Sequence, residues 1–246
     1  MDKSFVTFLL LISLLPLVAS CQGQGNTVQS LPADSIYLAG RASADGIGKF
    51  YQGREIAHVM GAAGGEWLER DSRQQEENTR LAIEKIDLPV TASVADIGAG
   101  TGYYSFRLAH KFYRGKVYAV DIQEEFLQYL RNKKKTDRDS VVIVVKGSEV
   151  SPNLPAGSID LALMTDVYHE LGYPHEMLQA IKKSLKPGGK ILLLEYRAED
   201  PNVPIKPLHK MSIAQAGKEM AANGFTLTYD GEFLPQQHFL LYSVKK

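Results

Sequence analysis

The stretch Val94-Ala95-Asp96-Ile97-Gly98-Ala99-Gly100-Thr101-Gly102 decides the fold of this chain. Its beginning is a largely apolar run typical of a buried strand, and three glycines follow where such a strand would turn into a helix. Glycine has no Cβ atom, so the backbone of this turn can approach a bound ligand closely. The stretch therefore predicts a strand, a loop and a helix, with a ligand at the loop.

Short apolar runs alternate with helical patterns from residue 93 onward, which predicts an α/β fold built from βαβ units. The runs are almost continuously apolar, so we expect a parallel sheet covered on both faces. Two β-like runs close the chain, which favours an antiparallel end to the sheet. The candidate strands are Ser93–Ile97, Lys116–Asp121, Val141–Lys146, Ile159–Thr165, Lys190–Tyr196, Thr226–Tyr229 and Phe239–Val244, and the candidate helices are Tyr103–Phe112, Glu124–Lys135, His175–Leu185 and Ser212–Asn223.

An acidic residue, Asp121, ends the second candidate strand, about twenty residues past the glycine loop, where a carboxylate can accept hydrogen bonds from a ribose. A nicotinamide or flavin dinucleotide is one alternative, but Tyr103 stands where that fingerprint has its third glycine. Asp96 would repel a phosphate and suit a cationic amino group, which S-adenosylmethionine has. The residues favour S-adenosylmethionine. A loop-bracing hydrogen bond is the other role open to Asp96, and helix capping is the other role open to Asp121.

Four segments, taken in order, resemble the class I S-adenosylmethionine-dependent methyltransferases: Asp96–Gly102, Asp121, Leu154–Asp160 and Leu185–Gly189. The resemblance spans residues 94–244, and residues 93–246 are predicted to be one such domain. It implies a Rossmann-like, doubly wound sheet of seven strands in the order 3-2-1-4-5-7-6, with strand 7 antiparallel and helices on both faces. It also implies that S-adenosylmethionine lies across the carboxyl ends of strands one to four.

The resemblance assigns the cofactor contacts by position. Gly98 and Gly100 would line the methionine part, Asp121 would hold the ribose and Ile122 would pack on adenine. Many relatives have an acidic residue where this chain has Ser148, so Ser148 or Glu149 would serve the adenine amino group. The predicted cofactor-binding residues are Asp96, Gly98, Gly100, Gly102, Asp121, Ile122, Ser148, Glu149 and Asp166.

Polar residues follow the fourth candidate strand, in Asp166-Val167-Tyr168-His169-Glu170, and such strand ends open into the ligand crevice of this fold class. The resemblance places Asp166 nearest the cofactor and His169 facing the reaction. His169 could take a proton from an oxygen or nitrogen nucleophile, because the ordinary pKa of histidine lies near neutrality. We predict Asp166, Tyr168 and His169 as catalytic residues. Capping of the next helix, or bracing of the loop, is the alternative for His169.

Residues for the methyl acceptor are expected at the end of the fifth strand, in the proline-rich loop after it, and upstream of the sheet. The basic loop residues could hold an anionic group, and a basic surface loop without a ligand is the alternative. Residues 46–92 are predicted to be a helical lid or docking region, with Trp67 among the lid candidates. The predicted acceptor-binding residues are Arg54, His58, Glu195, Arg197, Lys206, His209 and Lys210.

The beginning of the chain has the pattern of an export signal. Residues 1–20 predict a signal peptide, and Val18-Ala19-Ser20-Cys21 resembles the bacterial lipobox. Cys21 is the only cysteine, so lipidation of Cys21 is expected, with ordinary secretory cleavage as the alternative. Residues 21–45 predict a flexible tether. We therefore expect an exported protein, anchored by lipid to the periplasmic side of a bacterial membrane, with the outer membrane as the expected location.

Composition narrows the function further. Lys and Arg together number 28, as do Asp and Glu, so no net positive charge favours nucleic acid. His169, His175, His209 and His238 are scattered along the sequence, and we predict no metal site. The predicted function is methyl transfer to a small-molecule acceptor. A non-catalytic binding module for a nucleoside-like ligand is the alternative, because S-adenosylmethionine is not expected to be abundant outside the cytoplasm.

Overall fold

The computed structural model describes residues 36–245, so the predicted signal peptide, the predicted lipidation site Cys21 and most of the predicted tether lie outside the described residues. Within residues 36–245, the helices are too short or too polar to cross a membrane. The described chain forms a small antiparallel sheet followed by a large mixed sheet with helices around it.

The large sheet has seven strands in the spatial order β6-β5-β4-β7-β8-β10-β9. Counted from β4, this is the predicted order 3-2-1-4-5-7-6, and the last strand is antiparallel to both of its neighbours, as expected. The predicted α/β fold is confirmed. The strands are β4 (Ser93–Ile97), β5 (Lys116–Asp121), β6 (Val142–Lys146), β7 (Ile159–Thr165), β8 (Leu185–Tyr196), β9 (Phe225–Gly231) and β10 (Gln237–Val244).

Alternating side chains of the central strands enter two separate cores, one on each face of the sheet. In β7, Leu161 and Leu163 join one core while Ala162 and Met164 join the other. Successive side chains of a strand point to opposite faces, so a strand covered on both faces must be apolar throughout. This explains the continuous apolar runs in the sequence.

The helices that cover the sheet begin and end close to their predicted bounds. The last of them is capped by Ser212, whose Oγ accepts a hydrogen bond from the Gln215 N–H at 3.1 Å, and it ends before Gly224, which has a φ of +78°. The helices are α1 (Gly65–Leu68), α2 (Arg73–Glu77), α3 (Thr79–Glu84), α4 (Tyr103–Lys111), α5 (Glu124–Thr136), α6 (Pro174–Ser184) and α7 (Ile213–Ala222), with short 3₁₀ helices at Ala62–Gly64, Tyr168–Glu170 and Pro207–His209.

The small sheet differs from the prediction. The strands β1 (Tyr37–Ala39), β2 (Gly46–Tyr51) and β3 (Arg54–Ala57) pair antiparallel, where we expected the end of a flexible tether and then a helical region. Gln52 and Gly53 form the turn, with φ values of +50° and +93°, and two positive φ values in a two-residue loop are typical of a hairpin. The helical prediction for residues 46–92 is therefore wrong over residues 46–57, where this turn joins two strands, whereas short helices do occur between residues 62 and 84.

Candidate functional site

The glycine loop of residues 98–102 lies at the carboxyl end of β4, at the centre of the large sheet. The N–H groups of Gly98 and Ala99 both donate to the Val120 carbonyl at 2.9 Å, which folds the loop back against β5. Gly98 and Gly100 have φ values of +73° and +53°, which residues with a Cβ atom rarely adopt. The loop therefore presents bare backbone toward the strand ends.

Neighbouring side chains leave no room for larger residues in this loop. A Cβ atom on Gly98 would lie 2.4 Å from Val167 Cγ2, and a Cβ atom on Gly100 would lie 2.7 Å from Leu68 Cδ1. Val167 and Leu68 are thus packed where side chains of the loop would otherwise be. At Gly98, packing and the φ value both oppose a side chain; at Gly100, the tip of Leu68 could move aside, so the positive φ is the main reason for glycine.

Replacing Gly98 with alanine is expected to weaken binding of S-adenosylhomocysteine, the demethylated cofactor, because the new methyl group would displace Val167 and move the loop. The matched control is Gly157→Ala: Gly157 also has a positive φ, of +60°, but a Cβ atom there would have no neighbour within 4 Å. Both variants carry the backbone strain, about 1 kcal/mol or more. Calorimetric titration measures the affinity of both variants for S-adenosylhomocysteine. Only Gly98→Ala should bind more weakly, because only this variant displaces Val167 and the glycine loop. Equal affinities in the two variants would contradict the role of Gly98.

Asp121 ties the glycine loop to the end of β5. Its Oδ2 accepts a hydrogen bond from the Gly100 N–H at 2.8 Å, and its Oδ1 accepts one from the Gln123 N–H at 2.9 Å. Burial raises the pKa of Asp121, and the backbone N–H groups partly offset this effect. Each carboxylate oxygen retains a second lone pair, so Asp121 can still accept hydrogen bonds from a ligand.

A cavity of about 420 Å³ opens above the loop and is lined by Gly98, Gly100 and Asp121. Ile122 exposes 42% of its surface and lines the same cavity, together with Ser148 and Glu149. An apolar surface beside a buried carboxylate suits a ligand that has both a flat base and a sugar. The volume lies in the usual range for small-molecule sites. These residues fit S-adenosylmethionine. With Asp166, which also lines this cavity, seven of the nine predicted cofactor-binding residues lie here.

The small N-terminal sheet contributes one wall of this cavity, through Ile47 and Lys49 of β2 and Ala57 of β3. We expected a helical lid in this region, and the residues that reach the cavity instead belong to strands. Because these residues arrive from the hairpin, the wall depends on the pairing of β2 with β3.

Two predicted cofactor residues, Asp96 and Gly102, do not line the cavity. Asp96 is buried, and its Oδ2 accepts a hydrogen bond from Ser105 Oγ at 2.6 Å. A Cβ atom on Gly102 would meet Leu130 and Phe106 in the core. Both residues shape the loop from below. The loop-bracing role that the sequence left open for Asp96 therefore agrees with its position.

Asp96 makes the stability of the protein depend on pH. Burial raises its pKa to about 6, against the opposing effects of the Ser105 hydrogen bond and the charge of Arg73. The folded state therefore holds a proton that the unfolded state releases near pH 4, so the free energy of unfolding should fall as the pH rises from about 4 to about 6.

Asp96→Asn should remove this contribution, which is at most about 3 kcal/mol for a shift of about two pKa units. The variant is therefore expected to be more stable than the wild type at about pH 8 and to lose this advantage at about pH 4. Urea unfolding at the two pH values measures the difference, with the exposed Asp230→Asn as control. An advantage that does not change with pH would contradict this account.

A second cavity, of about 270 Å³, adjoins the first. Four residues line both cavities: Met60, Leu68, Asp166 and Glu170. Its other walls are mostly apolar or aromatic, with three basic side chains at one side. These further lining residues are Trp67, His169, Tyr196, Pro204, Ile205, Lys206 and His209.

Asp166, the residue predicted to lie nearest the cofactor, lines both cavities at their junction. Its φ is +50°, and its Oδ2 accepts a hydrogen bond from Gln237 Nε2 at 2.8 Å. Its Oδ1 is buried and has no hydrogen-bond partner among residues 36–245. Burial raises the pKa of Asp166 well above its ordinary value, as do the nearby charges of Glu77 and Glu195. An unpaired buried oxygen in a strained residue is suited to receiving a ligand.

His169 lies between Glu195 and His209. Its Nδ1 lies 2.7 Å from Glu195 Oε2, and its Nε2 lies 3.1 Å from Nδ1 of His209. Glu195 is itself fixed, because its Oε1 accepts a hydrogen bond from the Tyr168 N–H at 2.8 Å. Burial lowers the pKa of His169, but the charge and hydrogen bond of Glu195 outweigh this, so the pKa is raised overall. Glu195 thus orients His169 and does not itself line either cavity.

The predicted roles of Tyr168 and Arg54 do not fit their positions. Tyr168 is fully buried, and its hydroxyl donates to Glu219 Oε2 at 2.9 Å. Arg54 donates to both carboxylate oxygens of Glu219, at 2.7 and 3.0 Å, and to the His169 carbonyl at 2.8 Å. Neither side chain lines a cavity. We correct both predictions: these residues connect β3, α7 and the loop that carries His169.

Three further predicted acceptor residues lie away from the second cavity, and these predictions are also corrected. His58 is exposed after β3. Arg197 donates to the carbonyls of Leu234 and Pro235, and Lys210 donates to the Asp200 carbonyl. Arg197 and Lys210 thus connect loops at the end of the sheet. Lys206 and His209 do line the second cavity, and their binding of the acceptor stays a prediction.

The sequence did not identify three residues at the junction: Met60, Glu170 and Gln237. The Met60 N–H donates to Glu170 Oε2 at 2.9 Å, and Met60 lines both cavities. Burial raises the pKa of Glu170 to about 7, against the opposing effects of His169 and the Met60 N–H. The sequence could have identified Glu170, because it belongs to the polar run that follows the fourth strand. Met60 and Gln237 have no local signal, because their roles depend on distant partners.

Sequence comparison supports methyl transfer as the chemistry of this fold. Residues 95–191 match a family model described as a methyltransferase domain. The methyltransferase tpcM of Aspergillus fumigatus is 33% identical over 114 residues, which cover 45% of this chain and 34% of that protein. The mitochondrial 2-methoxy-6-polyprenyl-1,4-benzoquinol methylase of Caenorhabditis elegans is 25% identical over 128 residues, which cover 50% of this chain and 44% of that protein. The matched segments thus span less than half the length of these two relatives.

Structural comparison gives the same result over more of the chain. A SAM-dependent methyltransferase from Aquifex aeolicus superposes with a TM-score of 0.69 and 25% sequence identity, over 75% of this chain and 98% of that protein. The family match and this structural neighbour together support a class I S-adenosylmethionine-dependent methyltransferase.

Proposed function

We propose that this protein transfers the methyl group of S-adenosylmethionine to a small, largely apolar acceptor. The observation that carries the proposal is the junction of two cavities at Asp166 and Glu170. One cavity has the glycine loop and Asp121 expected for the donor. The other has aromatic walls and ends at a histidine that a buried carboxylate orients. A donor and an acceptor in these cavities would meet at the shared residues.

Holding two reactants in this arrangement supplies much of the catalysis that methyl transfer needs. S-adenosylmethionine supplies an electrophilic methyl group on a sulfonium. The acceptor atom forms the new bond to the methyl carbon, the electron pair of the carbon–sulfur bond returns to sulfur, and the proton of the acceptor leaves. Glu195 holds His169 beside the second cavity, so the His169–His209 pair is the group placed to receive that proton.

The walls of the second cavity indicate the class of acceptor. Trp67, Leu68, Tyr196 and Ile205 present apolar or aromatic surface, and Lys206 lies at the rim. Such walls suit an aromatic or otherwise apolar body that carries a nucleophilic oxygen. The relative from Caenorhabditis elegans is named for a benzoquinol acceptor, which has the same character. We therefore propose a ring-bearing hydroxyl compound of low mass.

A label-transfer experiment tests the function. The full chain is incubated with S-adenosylmethionine labelled in the methyl group, together with a small-molecule and lipid extract of bacterial membranes. We expect label in a low-mass, solvent-extractable product, and no such product with the Asp121→Ala variant. Bound cofactor without any transferred label would contradict a methyltransferase. Label on a protein would contradict the acceptor class.

We further propose export and lipid anchoring through Cys21, on the support of the apolar stretch from Phe5 to Val18 and the Val18–Cys21 sequence. Growth of an expressing bacterium with labelled fatty acid should label the wild-type protein but not Cys21→Ser. Recovery of both proteins from the periplasm without label would indicate ordinary secretory cleavage and would contradict the anchor.

A further inference from the structure

Three potential metal ligands meet in the second cavity, although they come from separate parts of the chain. His169 and Glu170 lie in the 3₁₀ helix after β7, and His209 lies in the 3₁₀ helix at Pro207–His209. One ligand atom from each of the three lies within 4.8 Å of the others. Histidine nitrogen and carboxylate oxygen are common ligands of zinc and similar divalent metals.

The two histidine rings turn their near nitrogens toward each other. Nε2 of His169 and Nδ1 of His209 are 3.1 Å apart, and the ring planes meet at 70°. Two nitrogens bound tetrahedrally to one zinc ion would be about 3.3 Å apart, because each zinc–nitrogen bond is about 2.0 to 2.1 Å. Only a small movement of the rings would therefore admit a metal ion between them.

A carboxylate faces the other nitrogen of each ring. Nδ1 of His169 lies 2.7 Å from Glu195 Oε2, and Nε2 of His209 lies 3.3 Å from Asp45 Oδ2. Metal-binding histidines usually have such a partner on the nitrogen that does not bind the metal, because it fixes the ring and makes the ligand more basic. A simple hydrogen bond between two histidines does not require a carboxylate on both outer sides.

The third group, Glu170, completes the set. Its Oε2 accepts a hydrogen bond from the Met60 N–H at 2.9 Å, which fixes the carboxylate, and Glu170 lines both cavities. Two histidines and one carboxylate are a donor set found in catalytic zinc sites, where a fourth position stays open.

We propose that His169, Glu170 and His209 bind a divalent transition metal ion, of which zinc is the best match, at the junction of the two cavities. Glu195 orients His169 from outside through a hydrogen bond, and Asp45 lies beside the outer nitrogen of His209. As a refinement that rests on the proposed function, the acceptor then carries an oxygen or sulfur atom that can bind this metal. With the metal bound, the near nitrogens of His169 and His209 would no longer receive the proton of the acceptor; the metal would instead lower the pKa of the bound acceptor, and the proton would pass to solvent.

Metal binding is tested without methyl transfer. The full chain is freed of metal with a chelator and titrated with Co²⁺, whose visible absorption reports ligands from the protein. We expect one tight equivalent that Zn²⁺ displaces. His209→Ala and Glu170→Gln should each lose the absorption, and His209→Ala should leave the fold intact because His209 lies in a half-buried loop. The matched control is His110→Ala, in which an exposed histidine on α4 is removed.

A variant outside the ligand set distinguishes a specific metal site from nonspecific metal binding by histidine. Asp45→Asn keeps all three ligands and should weaken Co²⁺ binding about 10-fold, because the outer partner of His209 is altered. Wild-type protein that binds Co²⁺ no more tightly than His209→Ala would overturn the metal site. Calorimetric titration of the metal-free wild type with S-adenosylhomocysteine tests the proposed function separately. If the wild type does not bind S-adenosylhomocysteine, the proposed function is contradicted. If it binds S-adenosylhomocysteine but not Co²⁺, only the metal site is contradicted.

Discussion

Replacement of Asp121 by alanine is expected to weaken binding of S-adenosylhomocysteine at least about 100-fold, because hydrogen bonds to a charged group contribute about 1.5 to 3 kcal/mol each. The variant would lose both predicted contacts to the ribose. It would also leave the Gly100 and Gln123 N–H groups without their partner, so the glycine loop itself would shift. Calorimetric titration measures the affinity directly.

Two controls keep this result specific. Asp121→Asn preserves the shape of the side chain and one accepting oxygen, so its affinity should lie between those of the wild type and the alanine variant. Asp230→Ala removes an exposed aspartate from β9 and should bind S-adenosylhomocysteine normally. A folded Asp121→Ala protein with wild-type affinity for S-adenosylhomocysteine would contradict the assignment of Asp121 to cofactor binding.

Replacement of Glu219 by alanine is expected to lower the free energy of unfolding by about 3 to 5 kcal/mol, because it leaves a buried charge without its partner. Glu219 is fully buried, and it accepts hydrogen bonds from Arg54, Tyr168 and Gln215. Loss of these bonds would remove the buried ion pair that joins β3 to α7. Urea unfolding measures the change, and the exposed Glu232→Ala should have almost no effect.

A double variant distinguishes an uncompensated charge from lost packing. Arg54→Met combined with Glu219→Leu removes both charges and keeps most of the volume, so it should recover much of the stability lost in Glu219→Ala. The role of Arg54 as a structural residue, and not as an acceptor-binding residue, can be tested in the same way. If Arg54→Ala kept full stability but lost acceptor binding, Arg54 would be an acceptor residue after all.

Much of the fold could be predicted because its signals are local. Ser93–Ile97, Lys116–Asp121 and Ile159–Thr165 have the predicted bounds, since a strand buried on both faces must be apolar along its whole length. Positive φ values at Gly98 and Gly224 likewise follow from the residue type at a turn. The N-terminal hairpin had a local signal too, at Gln52-Gly53, but the aromatic residues around it suggested helical spacing.

The candidate site was predictable only in part. Gly98, Gly100 and Asp121 line the first cavity because backbone geometry alone brings strand ends and their loops to one edge of the sheet. Tyr168, Arg54 and Lys210 also stand near this edge, yet they serve other contacts. Which way a polar side chain turns depends on the partners it finds, and these partners are distant in sequence.

The order of residues along the chain was enough to establish the α/β class, the glycine loop and the acid that follows it, because each rests on neighbours in sequence. It was not enough to bring His169 to His209, forty residues away, or Arg54 to Glu219, 165 residues away. Those pairs form only when the sheet and its loops have packed, since burial makes an unpaired charge or donor costly and selects the partner that satisfies it.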